Sequence, residues 1–530
     1  MTVSLLRIIC PKTKWPMVLY SQRFMLFNSI VYWLFLPAVW VSYFMLPVRF
    51  RWIWLLLASY FFYGFWKLEF AGLMLLTSAI DWYCGKYIES TPRIGWKRFW
   101  LWFSIGSNVL MLFMFKYLDF SMGSSPVARW MADHNATAWI IELGKYTIPA
   151  GISFYTFQSI SYVVDVFRGQ EKAEQSLPKF MLYVSFFPQL VAGPIERFGK
   201  LHAQLFRPYL PCWQDLRNAA RLLMYGLFLK VAVADNLASV VDTYYAGSTS
   251  AIANSPVYSC FDAWVASFFF AFQVYTDFFG YSLLAQGSAL LFGIHLMDNF
   301  NKPFLAKSIP EFWHRWHISL STWFRDYVFI PVGGNKRGPL VLSAAVLLVF
   351  FASGLWHGAS ATMIAFGLSQ GILYLFDRFV FKRLEWIGKS QSETTRWSAL
   401  RLKIWDGFKQ CKTGFFFMLT LIYFRSSSMH QAAKIWNQLW FGGSENIGLT
   451  APYSAAIEVQ ESSAELTIGM QIPIFLCIFL LLDLCVMKER ADVWMGKFAL
   501  PLRWIMYCMM AISIWIWGGA INHPFVYFQF

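Results

Sequence analysis

The run from Glu311 to Gly338, EFWHRWHISLSTWFRDYVFIPVGGNKRG, gathers groups that could do chemistry inside a very apolar chain. Read at 100° per residue, His314, His317, Ser321 and Arg325 share one stripe. Trp316, Leu320, Trp323 and Tyr327 share the opposite one. The pattern predicts an amphipathic helix ending near Pro331 and the Gly333–Gly334 turn. Two histidines one turn apart could bind a metal, but only Glu311 joins their face, so no metal is expected. Arg315 and Arg325, near Lys336 and Arg337, suit an anionic cofactor such as the phosphates of coenzyme A, or lipid head groups. An interfacial helix with an ordinary polar face fits the same pattern.

A second candidate is Ser353-Gly354-Leu355-Trp356-His357-Gly358-Ala359, which follows a run (340–352) that is apolar but for Ser343. A histidine at membrane depth is costly unless it has a partner or a wet cavity, which makes function the first hypothesis for His357. Imidazole, with an ordinary pKa of about 6.5, is a suitable general base near neutrality. A satisfied core or interfacial histidine is the alternative. A third candidate, Asp277 in YTDFFGY, calls for either a structural hydrogen-bonding role or a transport role; the structural one is favoured. No P-loop, GxSxG elbow or HExxH occurs.

The elements that must position these groups are membrane helices. The 530 residues are 58% hydrophobic and 20% aromatic, with a mean hydropathy of +0.46. Charged residues make up 14%, against about 25% in soluble domains. The expected fold is all-α and polytopic, with roughly 11–13 membrane helices and a cavity among them. IPAGISF (148–154) and PQLVAGPIERF (188–198) are broken apolar segments of the kind that line cavities. The net charge of +15 sits in short loops, as orientation by the positive-inside rule produces, so nucleic acid is not an expected partner. Basic loops at 86–98, 197–221, 301–338 and 378–412 are placed in the cytoplasm. Residues 441–469 have four glutamates and no Lys or Arg and are placed outside. The eight cysteines, without a CxxC, read as small buried hydrophobes. Residues 1–24 read as a dispensable extension, with Met17 and Met25 as alternative starts, and 25–530 as one membrane domain. Asn135-Ala136-Thr137 is a weak glycosylation sequon.

RWHISLSTWFRDYVFIPVGGNKRG, followed by the WHG at His357, resembles the membrane-bound O-acyltransferase family. The similarity is to its bacterial branch of alginate O-acetylation, peptidoglycan O-acetylation and teichoic-acid D-alanylation membrane proteins. MLFNSIV (25–31), ASYFFYGFW (58–66), PAGISFYTFQSISYVVDVFRG (149–169), LVAGPIERF (190–198), DNFNKPF (298–304) and the closing VYFQF carry the same resemblance. It implies a multi-pass acyltransferase of the bacterial inner membrane, built around a central tunnel and moving an acetyl group from cytoplasmic acetyl-CoA for O-acetylation of an extracytoplasmic, alginate-like polysaccharide. It implies His357 as the base and His317 as its partner near the cytoplasmic opening. His314, Ser321, Arg315, Arg325, Trp316 and Trp356 are candidates for the donor site. A secreted or membrane-anchored SGNH-type protein would accept the acetyl group, with polysaccharide as final acceptor and lipid as surroundings. His314, Phe279 and Leu283 depart from the family pattern. The rival reading is a glycan-precursor transporter or flippase with His357, His317 and Asp277 as a proton relay, against which stands the absence of a visible repeat. The run 340–356 reads as short for a crossing, which would put the two histidines at either end of a thin tunnel.

Overall fold

Lipid offers no hydrogen bonds, so each backbone N–H and C=O must find its partner in the chain. The computed structural model describes residues 25–117, 149, 151–191, 193–249, 258–381, 396–441, 476, 491–517 and 525–526. Among these every regular element is helical. Four helical stretches are long and apolar enough to cross a membrane: Ile94–Lys116, Trp213–Gly247, Gly338–His357 and Ala361–Phe381. Ile30–Met45 and Leu500–Ile516 are shorter apolar helices. The extension 1–24 and the sequon at Asn135 lie outside the described residues.

The first described helices are α1 (Ile30–Met45), α2 (Val48–Gly64), α3 (Leu68–Ser90) and α4 (Ile94–Leu112). Buried Asp81 of α3 accepts from Ser104 Oγ (2.6 Å) and Asn108 Nδ2 (2.8 Å) of α4, which fixes the rotation of α4. A π-helical turn, Phe113–Tyr117, follows. Next come α5 (Ile152–Phe167) and α6 (Leu177–Ser185). The helix α7 (Trp213–Leu227) runs through a π-helical stretch into α8 (Asp235–Thr249). Both flank α9 (Cys260–Leu290), which starts on a capping box between Ser259 and Asp262.

The middle of the molecule is α9. From Phe270 to Leu290 every residue but Phe279 is buried. It crosses α7 where Gly280 meets Gly226; a Cβ on either would lie 2.8–2.9 Å from the other's carbonyl oxygen. Small residues let membrane helices approach this closely. One turn on, buried Lys230 pairs with Asp235 (2.7 Å) and Asp277 (2.9 Å). The second oxygen of Asp277 accepts from the Val526 amide at 2.8 Å, tying the C-terminal segment to α9. Asp277 is thus a structural knot.

Two short helices, α10 (Ile309–Arg315) and α11 (Ile318–Phe324), precede α12 (Gly338–His357) and α13 (Ala361–Phe376). The helix α14 (Arg396–Arg425) then packs on α13, followed by α15 (Met429–Phe441) and α16 (Leu500–Trp517). Two expectations change here. At 20 residues, α12 spans about 30 Å, a full hydrocarbon core, because the helix begins at Gly338. Of the five described cysteines only Cys84 is buried; Cys212, Cys411 and Cys508 are exposed and Cys260 is half-buried. Cys508 shares α16 with the outward-facing Trp504, Ile505, Met509 and Ile512. An apolar exterior makes the outer face of a helix as suitable for a thiol as the core.

Breaking a buried ion pair from one side strands the other charge, which typically costs about 3–5 kcal/mol. Asp277→Ala should therefore show a much lower melting temperature in detergent and loss of the monodisperse peak. Asp277→Asn, still able to accept from Val526, should lose less. An unchanged melting curve for the alanine variant would remove the knot from this account.

Candidate active site

The predicted stripe at 311–338 is not one helix. The chain leaves α10 after Arg315, and His317 takes φ 43° and ψ 54°, the left-handed region. A non-glycine residue there costs about 1–3 kcal/mol and needs support from its surroundings. Asn299 supplies it. The Ile318 amide donates to the Asn299 carbonyl (2.9 Å), and Ser319 Oγ donates to Asn299 Oδ1 (2.6 Å). Asn299 Nδ2 in turn donates to Ser282 Oγ of α9 (3.1 Å), and the Asn301 amide donates to the Arg315 carbonyl (2.9 Å).

The turn rotates His317 away from His314, Ser321 and Arg325. It drives the imidazole into the core, fully buried, 4.6 Å from the ring of Phe278 and 6.0 Å from that of Trp356. Phe154 stacks over it at 6.3 Å.

His357 reaches the same place from the opposite direction. It is the last residue of α12, and its ring lies 4.8 Å from Trp356, 5.3 Å from Phe424 and 5.9 Å from Phe366. The hairpin with α13 fixes this end. A Cβ on Gly354 would strike the Met363 carbonyl, and one on Gly367 the Phe350 carbonyl, so the two helices pack backbone to backbone. Ser360 then caps α13 by accepting from the Met363 amide (3.2 Å).

The two imidazoles therefore flank one indole. They do not sit at opposite ends of a tunnel: the left-handed turn carries His317 inward to meet the end of α12. Trp356 is pinned between them. It stacks on Phe157 (5.6 Å, 18°), which stacks on Trp323 (4.0 Å, 9°), whose Nε1 donates to the Phe157 carbonyl (2.8 Å). From the other side Lys116 Nζ donates to the Trp356 carbonyl (2.5 Å).

The remaining candidates separate. His314, Ser321 and Arg325 line a cavity of about 260 Å³ with Arg378, Phe350 and Ser353. Ser353 lies one helical turn before His357, so the cavity reaches toward the paired histidines. Arg315 and Trp316 do not line it. Arg315 is held by Glu311 (2.7 Å) and donates to the Asn301 carbonyl (3.2 Å). Trp316 is core, packed on Phe312 (5.4 Å), Phe417 (4.9 Å) and Phe300 (5.1 Å). Among the described residues no three His, Cys, Asp or Glu side chains converge. Sequence reasoning did not select Asn299 or Lys116. Their signals were an asparagine in DNFNKPF and a lone lysine in the apolar run FMFKY.

An all-helical membrane fold that closes two imidazoles around one indole defines a class: a polytopic membrane protein with acid–base groups in its core. Comparison with known proteins narrows it. Residues 168–402 match the family described as MBOAT, membrane-bound O-acyltransferase. A probable alginate O-acetylase AlgI of Azotobacter vinelandii is 36% identical over 356 residues, 67% of this chain and 69% of the relative. A peptidoglycan O-acetyltransferase of Helicobacter pylori is 34% identical, covering 66% and 69%. A teichoic acid D-alanyltransferase of Bacillus subtilis is 28% identical, covering 47% and 63%. The chain belongs to the membrane-bound O-acyltransferase family and is an O-acyltransferase.

The left-handed turn makes a stability prediction independent of activity. His317→Gly should melt higher than His317→Ala, by about 1 kcal/mol, because glycine adopts this region without a Cβ penalty. Equal melting temperatures for the two variants would mean that His317 is not held in the left-handed region.

Proposed function

We propose that this O-acyltransferase takes an acetyl group from a cytoplasmic thioester, acetyl-CoA, and delivers it across the bacterial inner membrane for O-acetylation of an alginate-like exopolysaccharide. The observation that carries the reading is the pair of imidazoles on Trp356 in a chain 36% identical to a probable alginate O-acetylase. His357 accepts the proton of the acceptor hydroxyl as its oxygen attacks the thioester carbonyl. The new C–O bond forms, the C–S bond breaks, and the imidazolium returns the proton to the departing thiolate. His317, in the same chamber, orients the thioester. A secreted or membrane-anchored SGNH-type protein accepts the acetyl group outside and passes it to the polysaccharide.

The cavity lined by His314, Ser321, Arg325 and Arg378 is the donor's entry in this reading. Its two guanidinium groups suit phosphate, and Phe350 suits the pantetheine arm. Arg315 and Trp316 do not line this cavity, so this reading assigns the donor contacts to His314, Ser321, Arg325 and Arg378. The transporter alternative loses one of its relay groups, since Asp277 is held by Lys230 and the Val526 amide.

Loss of a positioned acid–base group lowers rates by about 10² to 10⁴. With labelled acetyl-CoA and membranes that make the polymer, His357→Ala should slow acetylation by about 10² to 10⁴ at an unchanged protein level. Label transfer at the normal rate would sink the base assignment. Glycan transport without label transfer would favour the transporter. Arg325→Ala should raise KM for acetyl-CoA about tenfold with kcat kept, the loss of one charge-assisted hydrogen bond. An unchanged KM would remove Arg325 from the donor site.

A further inference from the structure

Lys116 ends the membrane-length stretch Ile94–Lys116, on the π-helical turn that follows α4. A lysine in such a place is costly unless its charge is used. Its Nζ donates to the Trp356 carbonyl at 2.5 Å and lies 5.7 Å from the indole centroid. Among the described residues no carboxylate pairs with it. The last carbonyls of α12 have no intrahelical donor, and a cation at a helix C-terminus is favourable.

Among the described residues, His317 and Lys116 are ionisable groups that act on His357. From α13 it meets Phe366 and from α14 Phe424, both apolar.

We propose that Lys116 is a positioning residue for the acyl transfer: its ammonium caps the end of α12 and holds a fixed positive charge beside His357. This rests on reading His357 as the base. The cap fixes the carbonyl one residue before the imidazole and so sets where the imidazole points. The charge disfavours a second cation nearby. It keeps the imidazole ready to accept a proton, and it hastens return of that proton to the departing thiolate.

The purified full chain in lipid nanodiscs tests the idea, with thiol release from acetyl-CoA followed across pH in the presence of the SGNH-type acceptor protein. Lys116→Met removes cap and charge: kcat should fall about tenfold or more, KM should hold, and the acid limb of the kcat/KM profile should move up by about one pH unit. Lys116→Gln can still donate to the Trp356 carbonyl; it should recover much of kcat and keep the displaced limb. Lys116→Arg should restore the limb. Wild-type kcat and an undisplaced limb in Lys116→Gln would overturn the proposal, and that variant decides the matter if Lys116→Met does not fold. His357→Ala in the same assay separates the two claims. If it stays active, the base assignment fails. If it is inactive while the Lys116 variants behave as wild type, only the role of Lys116 fails.

Discussion

The left-handed turn at His317 is the constraint on which the site depends. A continuous helix through 311–325 would place His317 beside His314 and Ser321, outside the chamber. The turn reverses that, and Asn299 makes it tolerable by holding both the backbone and Ser319 on the far side. Asn299 is anchored to α9 through Ser282, and α9 is locked by the Gly226–Gly280 crossing and the Lys230–Asp277 pair. The strained His317 is therefore supported by a long helix that is buried almost throughout from Phe270 to Leu290. Backbone strain of this kind persists only where its surroundings over-determine it.

Polar groups in this apolar chain do separate jobs. The carboxylates at Asp81 and Asp277 hold helices together, the first through hydroxyl and amide donors and the second through a buried lysine. Aromatic side chains pack against both buried imidazoles. Phe154, Phe278, Phe366 and Phe424 surround the two imidazoles, and the Phe157–Trp323 stack braces the indole between them. Apolar walls make electrostatic interactions within them stronger than in water.

The sequence made part of this legible. Composition decided the helical membrane class, because a chain this apolar has no polar shell. The WHG context singled out His357, since a histidine after an apolar run stands out at any register. The stripe at 311–325 misled because helical periodicity assumes continuous α geometry, and a single left-handed residue resets the phase. Nothing in the local sequence RWHIS marks the reset; it is held by the hydrogen bonds that Ile318 and Ser319 donate to Asn299, 18 residues before His317. Arg315 fell on the predicted surface but is taken by Glu311, four residues before it on the same helix. Trp316, on the opposite stripe, packs in the core on Phe312, Phe417 and Phe300 and does not line the cavity.

In the proposed reaction His317 and His357, both against Trp356, act as one unit. A double-mutant cycle on kcat/KM for acetyl transfer tests it most directly. Groups that serve one step lose little more together than the worse of them loses alone. The account predicts that the His317→Ala/His357→Ala double variant is no slower than the slower single variant. Losses that multiply, as for groups acting independently at separate ends of a passage, would contradict it.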